Sequence, residues 1–140
     1  PADVAAAARV QLDLGRVEVM AEVILNGQPL GIAWKTPYRL DARPALRPGK
    51  NRVEIRVVNL WINRLIGDSR HPDDEPYTPM TNRGKGIKKI PEWLLRNEPR
   101  PGSPRRTFST WQHFPENARL MESGLLGPVT LIPAHEVILK

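Results

Sequence analysis

The stretch VEIRVVNLWINRLIGD, Val53 to Asp68, decides how the chain is read. Its first half alternates, with Val53, Ile55 and Val57 facing one way and Arg52, Glu54 and Arg56 the other. Successive side chains on a strand project to opposite faces, so this segment is expected to be a strand with one buried and one wet face. The alternation stops at Val58. Asn59, Leu60, Trp61, Ile62, Asn63, Arg64, Leu65, Ile66, Gly67 and Asp68 then mix large apolar groups with amide, guanidinium and carboxylate groups. At a strand end, such a mixture suits a polar network or a contact surface for a small ligand.

Upstream, Val10, Leu12 and Leu14 alternate with polar residues and give a first strand that ends at Gly15. Val17, Val19, Ala21, Val23 and Leu25 lie on one face of the next strand, and Asn26-Gly27 supplies the positive φ angles of a tight hairpin. The partner strand runs from Leu30 to Trp34, and a short one passes through Tyr38 and Leu40 to Asp41. Pro44 to Asn51 reads as a turn in which Ala45 and Leu46 look inward. Downstream, Thr107 to Trp111 and Pro128 to Ile132 are the last expected strands, with Ser123-Gly124 and Gly127-Pro128 as turns. Many short strands, little helix and fifteen prolines predict an all-β fold, an antiparallel β-sandwich of two sheets.

The domain plan is a terminal extension over residues 1–9 and one sandwich domain over 10–140. A long proline-rich loop at 68–104 interrupts it. One helical turn is expected in that loop, at Pro91 to Arg96, with Trp93, Leu94 and Leu95 capping an open side of the core.

At 140 residues the chain suits one domain that buries roughly two-thirds of its unfolded surface. No apolar run is long enough for a membrane span or forms a leader segment, so no membrane partner is expected. Without cysteine, disulfides and thiolate metal sites are excluded. The net charge is +6 and the pI about 10.2, which raises a basic nucleic-acid-binding domain as an alternative. The basic residues are interspersed with acids except in Arg83 to Lys89 and Arg96 to Arg106, and these two segments lack interleaved stacking groups. A solvated basic loop, with no nucleic-acid partner, is the preferred expectation.

Arg64 can present a planar fork of donors to Asp68, either as a brace between the strand end and the long loop or as part of a ligand site. Trp34, Tyr38, Trp61, Trp93 and Trp111 either fill the core or offer rings on which sugars stack, and Trp61 is the best placed to lie outside the core. A glycosidase needs two carboxyl groups at a set separation. Asp73, Asp74 and Glu75 sit among prolines with nothing nearby to set a separation or raise a pKa, so no catalytic residues are assigned. Calcium is the one cofactor these oxygens would suit, but their consecutive spacing lacks an alternate-residue pattern, and a solvated charge run fits better. His71, His113 and His135 form no H-x-x-x-H pair, so no metal site is assigned.

The NLW-NRLIGD string resembles the C-terminal β-sandwich of α-L-rhamnosidase-type glycoside hydrolases. That domain is similar to the sugar-binding domain of the β-galactosidase and β-glucuronidase family. The likeness extends to LDLGRVEVMAEVILNGQPLGIAWKTPYRLD (Leu12 to Asp41), RPGKNRVEIRVVN, RRTFSTW and SGLLGPVTL. It implies a galactose-binding-like jelly roll that is non-catalytic and supports the catalytic domain of a parent hydrolase, its expected partner. Carbohydrate or domain contacts are then assigned to Trp61, Asn63, Arg64, Asp68, Asn59, Trp34, Tyr38 and Trp111. An independent carbohydrate-binding module is the alternative. Related domains begin with one or two further strands, so the resemblance implies a sandwich missing its first strands, cut from a periplasmic or secreted protein.

Overall fold

The computed structural model describes residues 7–80 and 84–134. His135, Arg83 and the first six residues of the expected extension lie outside the described residues. The described residues form antiparallel sheets with two short helices, and the contacts divide the chain into two compact units, residues 1–60 with 122–140 and residues 61–121.

The first unit holds the sandwich. Strand β1 (Arg9–Asp13) lies between β10 (Thr130–Ala134) and β5 (Arg39–Asp41), and β3 (Met20–Leu25) lies between β4 (Gln28–Ala33) and β6 (Val53–Val58). A ribbon of β2 (Arg16–Glu18) and β9 (Gly124–Gly127) completes it. All these pairings are antiparallel. Val10, Leu12 and Leu14 from the β1 segment meet Val17, Ala21, Val23 and Leu25 in one buried cluster. Full burial of each Val or Leu contributes about 1.5–3 kcal/mol, which makes the alternation in sequence the main determinant of the unit. Ala7 is buried in the same cluster, and β1 begins at Arg9.

The Asn26-Gly27 turn has the expected positive φ angles, 53° and 83°. Its amide is also a clamp: Asn26 Nδ2 donates to Ala45 O at 2.8 Å and Asn51 Oδ1 at 2.7 Å, while Arg52 N donates to Asn26 Oδ1 at 2.9 Å. This holds the Pro44 to Asn51 turn in place, with Ala45 buried and Leu46 packed against the core as expected. On β6, Ile55 and Val57 pack against the core, Arg56 pairs with Glu54 and Glu22 on the other face, and Val53 is exposed at the strand end.

Several expectations are corrected. The run Val17 to Leu25 is two strands, interrupted at Val19. Gly124–Gly127, expected in turns at its two end glycines, is a strand, and the final strand begins two residues later than Pro128. The polar-apolar mixture after Val58 is a helix, α1 (Ile62–Asp68), and not a strand end. Ile62, Leu65 and Ile66 are spaced i, i+3, i+4, the period of a helix face.

In the second unit the long loop carries more structure than the single expected turn. A hairpin of β7 (Thr78–Met80) and β8 (Gly84–Gly86) precedes helix α2 (Glu92–Leu95), which Pro91 leads as foreseen. Leu94 and Leu95 are exposed and do not cap a core. The strand expected at Thr107 to Trp111 does not form beyond one bridge from Trp111 to Gly86. Side chains occupy its backbone donors: Arg106 N and Thr107 N donate to Asp68, and Trp111 N donates to Ser109 Oγ. Such local bonds compete with a ladder.

Candidate functional site

Helix α1 begins after Trp61, which is 69% exposed, in line with its being the best candidate among the tryptophans to lie outside the core. The next residues are committed to the second unit. Asn63 Nδ2 donates to Met121 O at 2.7 Å, and Met121 N returns a bond to Asn63 Oδ1 at 2.8 Å. Asp68 is 2% exposed, and its Oδ2 accepts from Arg106 N at 3.0 Å, Thr107 N at 2.7 Å and Thr107 Oγ1 at 2.7 Å. Burial pushes its carboxyl pKa up. The Thr107 hydroxyl and amide, the Arg106 amide and the Arg64 charge together outweigh this and hold it below the ordinary value.

The helix brings Arg64 and Asp68 onto one face, i to i+4, but the fork-to-fork pairing is not made. Arg64 Nη1 lies 3.8 Å from Asp68 Oδ1, and its guanidinium is largely exposed. Asp68 is therefore a brace through Thr107, and Arg64 is a nearly free cation beside Trp61 in sequence. The other assigned residues divide between the units. Asn59 Oδ1 accepts from Gly124 N at 2.8 Å and ties the end of β6 to β9. Tyr38 packs against the sandwich core and reaches Val19 O at 3.4 Å. Trp34 is 64% exposed, with Lys35 Nζ 5.3 Å from its ring centre. Trp111 belongs to the second unit and is partly buried.

The acidic triplet is not a solvated run: each acid is paired with a base of the same unit, and Arg100 and Arg105 of the second basic segment are drawn in with it, while Arg96 and Arg106 stay exposed as expected. Arg100 grips Asp74 with two nitrogens, Nε at 2.8 Å from Oδ1 and Nη2 against Oδ2. Arg105 Nη1 bonds Asp73, and Lys89 Nζ lies 3.4 Å from Glu75. The Arg100 and Asp74 side chains are only 14% and 12% exposed, so this is a partly desolvated charge pair. Arg100 also sits 5.5 Å from the centre of the Trp93 ring, which meets Phe108 edge-on at 5.8 Å. Tyr77 donates to Ser109 O at 2.9 Å, and burial raises its pKa. Sequence reading missed this lattice. The available signal was the opposite sign of residues 73–75 and 96–106 within one loop.

Chemically, the arrangement is one of braces and exposed rings. A glycosidase general acid requires a carboxyl group with a raised pKa. The Asp13 and Asp68 carboxyl groups are both displaced downward, Asp13 chiefly by its bond to Arg39. No group of three His, Asp or Glu among the described residues is placed to hold a metal ion. No helix among them is long and apolar enough to cross a membrane.

No protein-family model matches the chain. It is 49% identical over 123 residues to a protein of Formosa agariphila named "Putative beta-glucuronidase", a match that covers 88% of this chain and 10% of that protein. Among solved structures it matches a rhamnosidase from Novosphingobium sp. PP1Y with a TM-score of 0.61 and 36% identity, over 88% of this chain and 9% of the other. The chain thus spans about a tenth of the length of the relatives it matches. By sequence and by fold alike, it is a β-sandwich segment related to part of much longer glycoside hydrolases.

Proposed function

We propose that the chain is a non-catalytic accessory β-sandwich of an α-L-rhamnosidase-like glycoside hydrolase. In this reading it supports the parent's catalytic domain and contributes carbohydrate contacts through Trp61 and Arg64. The observation that carries it is the match of 88% of the chain to a tenth of each of two hydrolases, one of them named a rhamnosidase. A non-catalytic role is further supported by the state of the acids. Asp68, Asp73, Asp74 and Glu75 are each engaged by a base or by backbone donors, and the Asp13 and Asp68 carboxyl groups are shifted opposite to a general acid. Periplasmic or secreted placement follows the parent in this reading.

The test is hydrolysis of an aryl α-L-rhamnoside by the isolated chain. No release is expected. Release that disappears on mutating its acids would sink the assignment. An independent carbohydrate-binding module is the second reading, favoured by the exposure of Trp34 and Trp61. Calorimetry with rhamnose- and galactose-containing oligosaccharides separates the two, because only the module binds them without the parent.

A further inference from the structure

A cleft of about 580 Å³ opens in the second unit along segments 72–75, 91–93 and 98–104. Its wall carries five carboxylates (Asp73, Asp74, Glu75, Glu92 and Glu98) together with Trp93 and four prolines, and no lysine or arginine lines it. Taken alone, the acids suggest a cation. The pairing argues otherwise. Arg105, Arg100, Lys89 and Arg96 compensate Asp73, Asp74, Glu75 and Glu92 from outside the wall, so four of the five charges are balanced and only Glu98 is left without an ion pair among the described residues. A polyamine or a lysine side chain would gain little from so nearly neutral a surface.

Ion-paired carboxylates keep lone pairs that accept hydrogen bonds, and the guanidinium partners fix where those lone pairs point. Beside them, the proline rings and the Trp93 indole supply rigid apolar surface. Trp93 is held by Phe108 and by Arg100, so little side-chain entropy remains to be lost when a ligand arrives. Oriented acceptors next to a rigid ring, in a space within the usual range for small-molecule sites, match a ligand with many hydroxyl donors and flat C–H faces. We propose that this cleft binds a neutral saccharide unit, with Trp93 as the platform and the carboxylates, Glu98 foremost, as acceptors for its hydroxyls. The inference rests on the proposed carbohydrate reading only for its ligand class, and it adds a second site, separate from the one at Trp61.

The experiment is NMR titration of the whole ¹⁵N-labelled chain with methyl α-L-rhamnoside, methyl β-D-galactoside and, separately, spermidine. The four tryptophan indole signals are assigned by single Trp→Phe variants. Saturable movement of the Trp93 signal with a glycoside at millimolar concentration is expected. Because Trp93 packs against its neighbours and its removal can disturb folding, the exposed Glu98→Gln is the second variant, expected to weaken binding about fivefold through one lost charged acceptor. Movement confined to the Trp61 or Trp34 signal would overturn the cleft assignment while leaving the broader carbohydrate reading intact. No movement with either glycoside, or movement of Trp93 with spermidine alone, would overturn it outright.

Discussion

Asp68 and Thr107, thirty-nine residues apart, are joined twice, the Thr107 amide and hydroxyl both donating to Asp68 Oδ2 at 2.7 Å. The Arg106 amide adds a third bond to the same oxygen. A single buried atom thereby fixes the end of α1 against the segment that returns from the long loop.

Removing that acceptor leaves two backbone amides and a hydroxyl without their partner. Asp68→Ala is expected to cost about 3 kcal/mol, and Asp68→Asn less, since the amide oxygen still accepts. Urea denaturation of the variants measures both. A loss below about 1 kcal/mol for the alanine variant would show that the brace is replaced by water.

The same residue sets a pH dependence. Its carboxyl pKa is lower folded than the ordinary value of 3.8, so the unfolded chain binds the extra proton as acid is added. The contribution is complete above the unfolded pKa and is lost as pH falls through the lower, folded one. Asp13, lowered chiefly by Arg39, acts in the same sense. Stability measured from neutral pH downward should hold to about pH 5 and then fall, with a shallower fall in Asp68→Asn.

Two glycines with positive φ should respond differently to alanine. At Gly15 (φ 65°) a Cβ would lie 2.4 Å from the Gly127 carbonyl carbon, whereas at Gly27 (φ 83°) it would meet nothing within 4 Å. Gly27→Ala is expected to cost about 1 kcal/mol, the left-handed backbone penalty alone. Gly15→Ala adds a backbone clash and should cost about 3 kcal/mol or more. Comparing the two melting curves tests the contrast.

Exposed Trp61 and core Leu14 form a second contrast. Trp61→Ala should change stability by no more than about 0.5 kcal/mol, while Leu14→Ala should cost about 2–5 kcal/mol. A large loss at Trp61 would mean that its ring is packed and unavailable to a ligand. Denaturation of the isolated chain decides this.

Sequence alone was enough for most of the sandwich, though not for β9 or the break at Val19. Strict alternation at Val10, Leu12 and Leu14 and again at Ala21, Val23 and Leu25 leaves a strand only one way to bury its apolar face, and Asn26-Gly27 admits only a tight reversal. Local chemistry suffices there because period and turn are encoded within a few adjacent residues. The second unit was a matter for tertiary structure. Ile62, Leu65 and Ile66 match a helix period too briefly to be told from a strand end, and Thr107 to Trp111 has strand composition but loses its backbone donors to Asp68 and Ser109. The partners of Asp73, Asp74 and Glu75 lie 14 to 32 residues away in sequence, as Lys89, Arg100 and Arg105. Coulombic pairing depends on distance in space, and only folding sets that distance for residues so far apart along the chain.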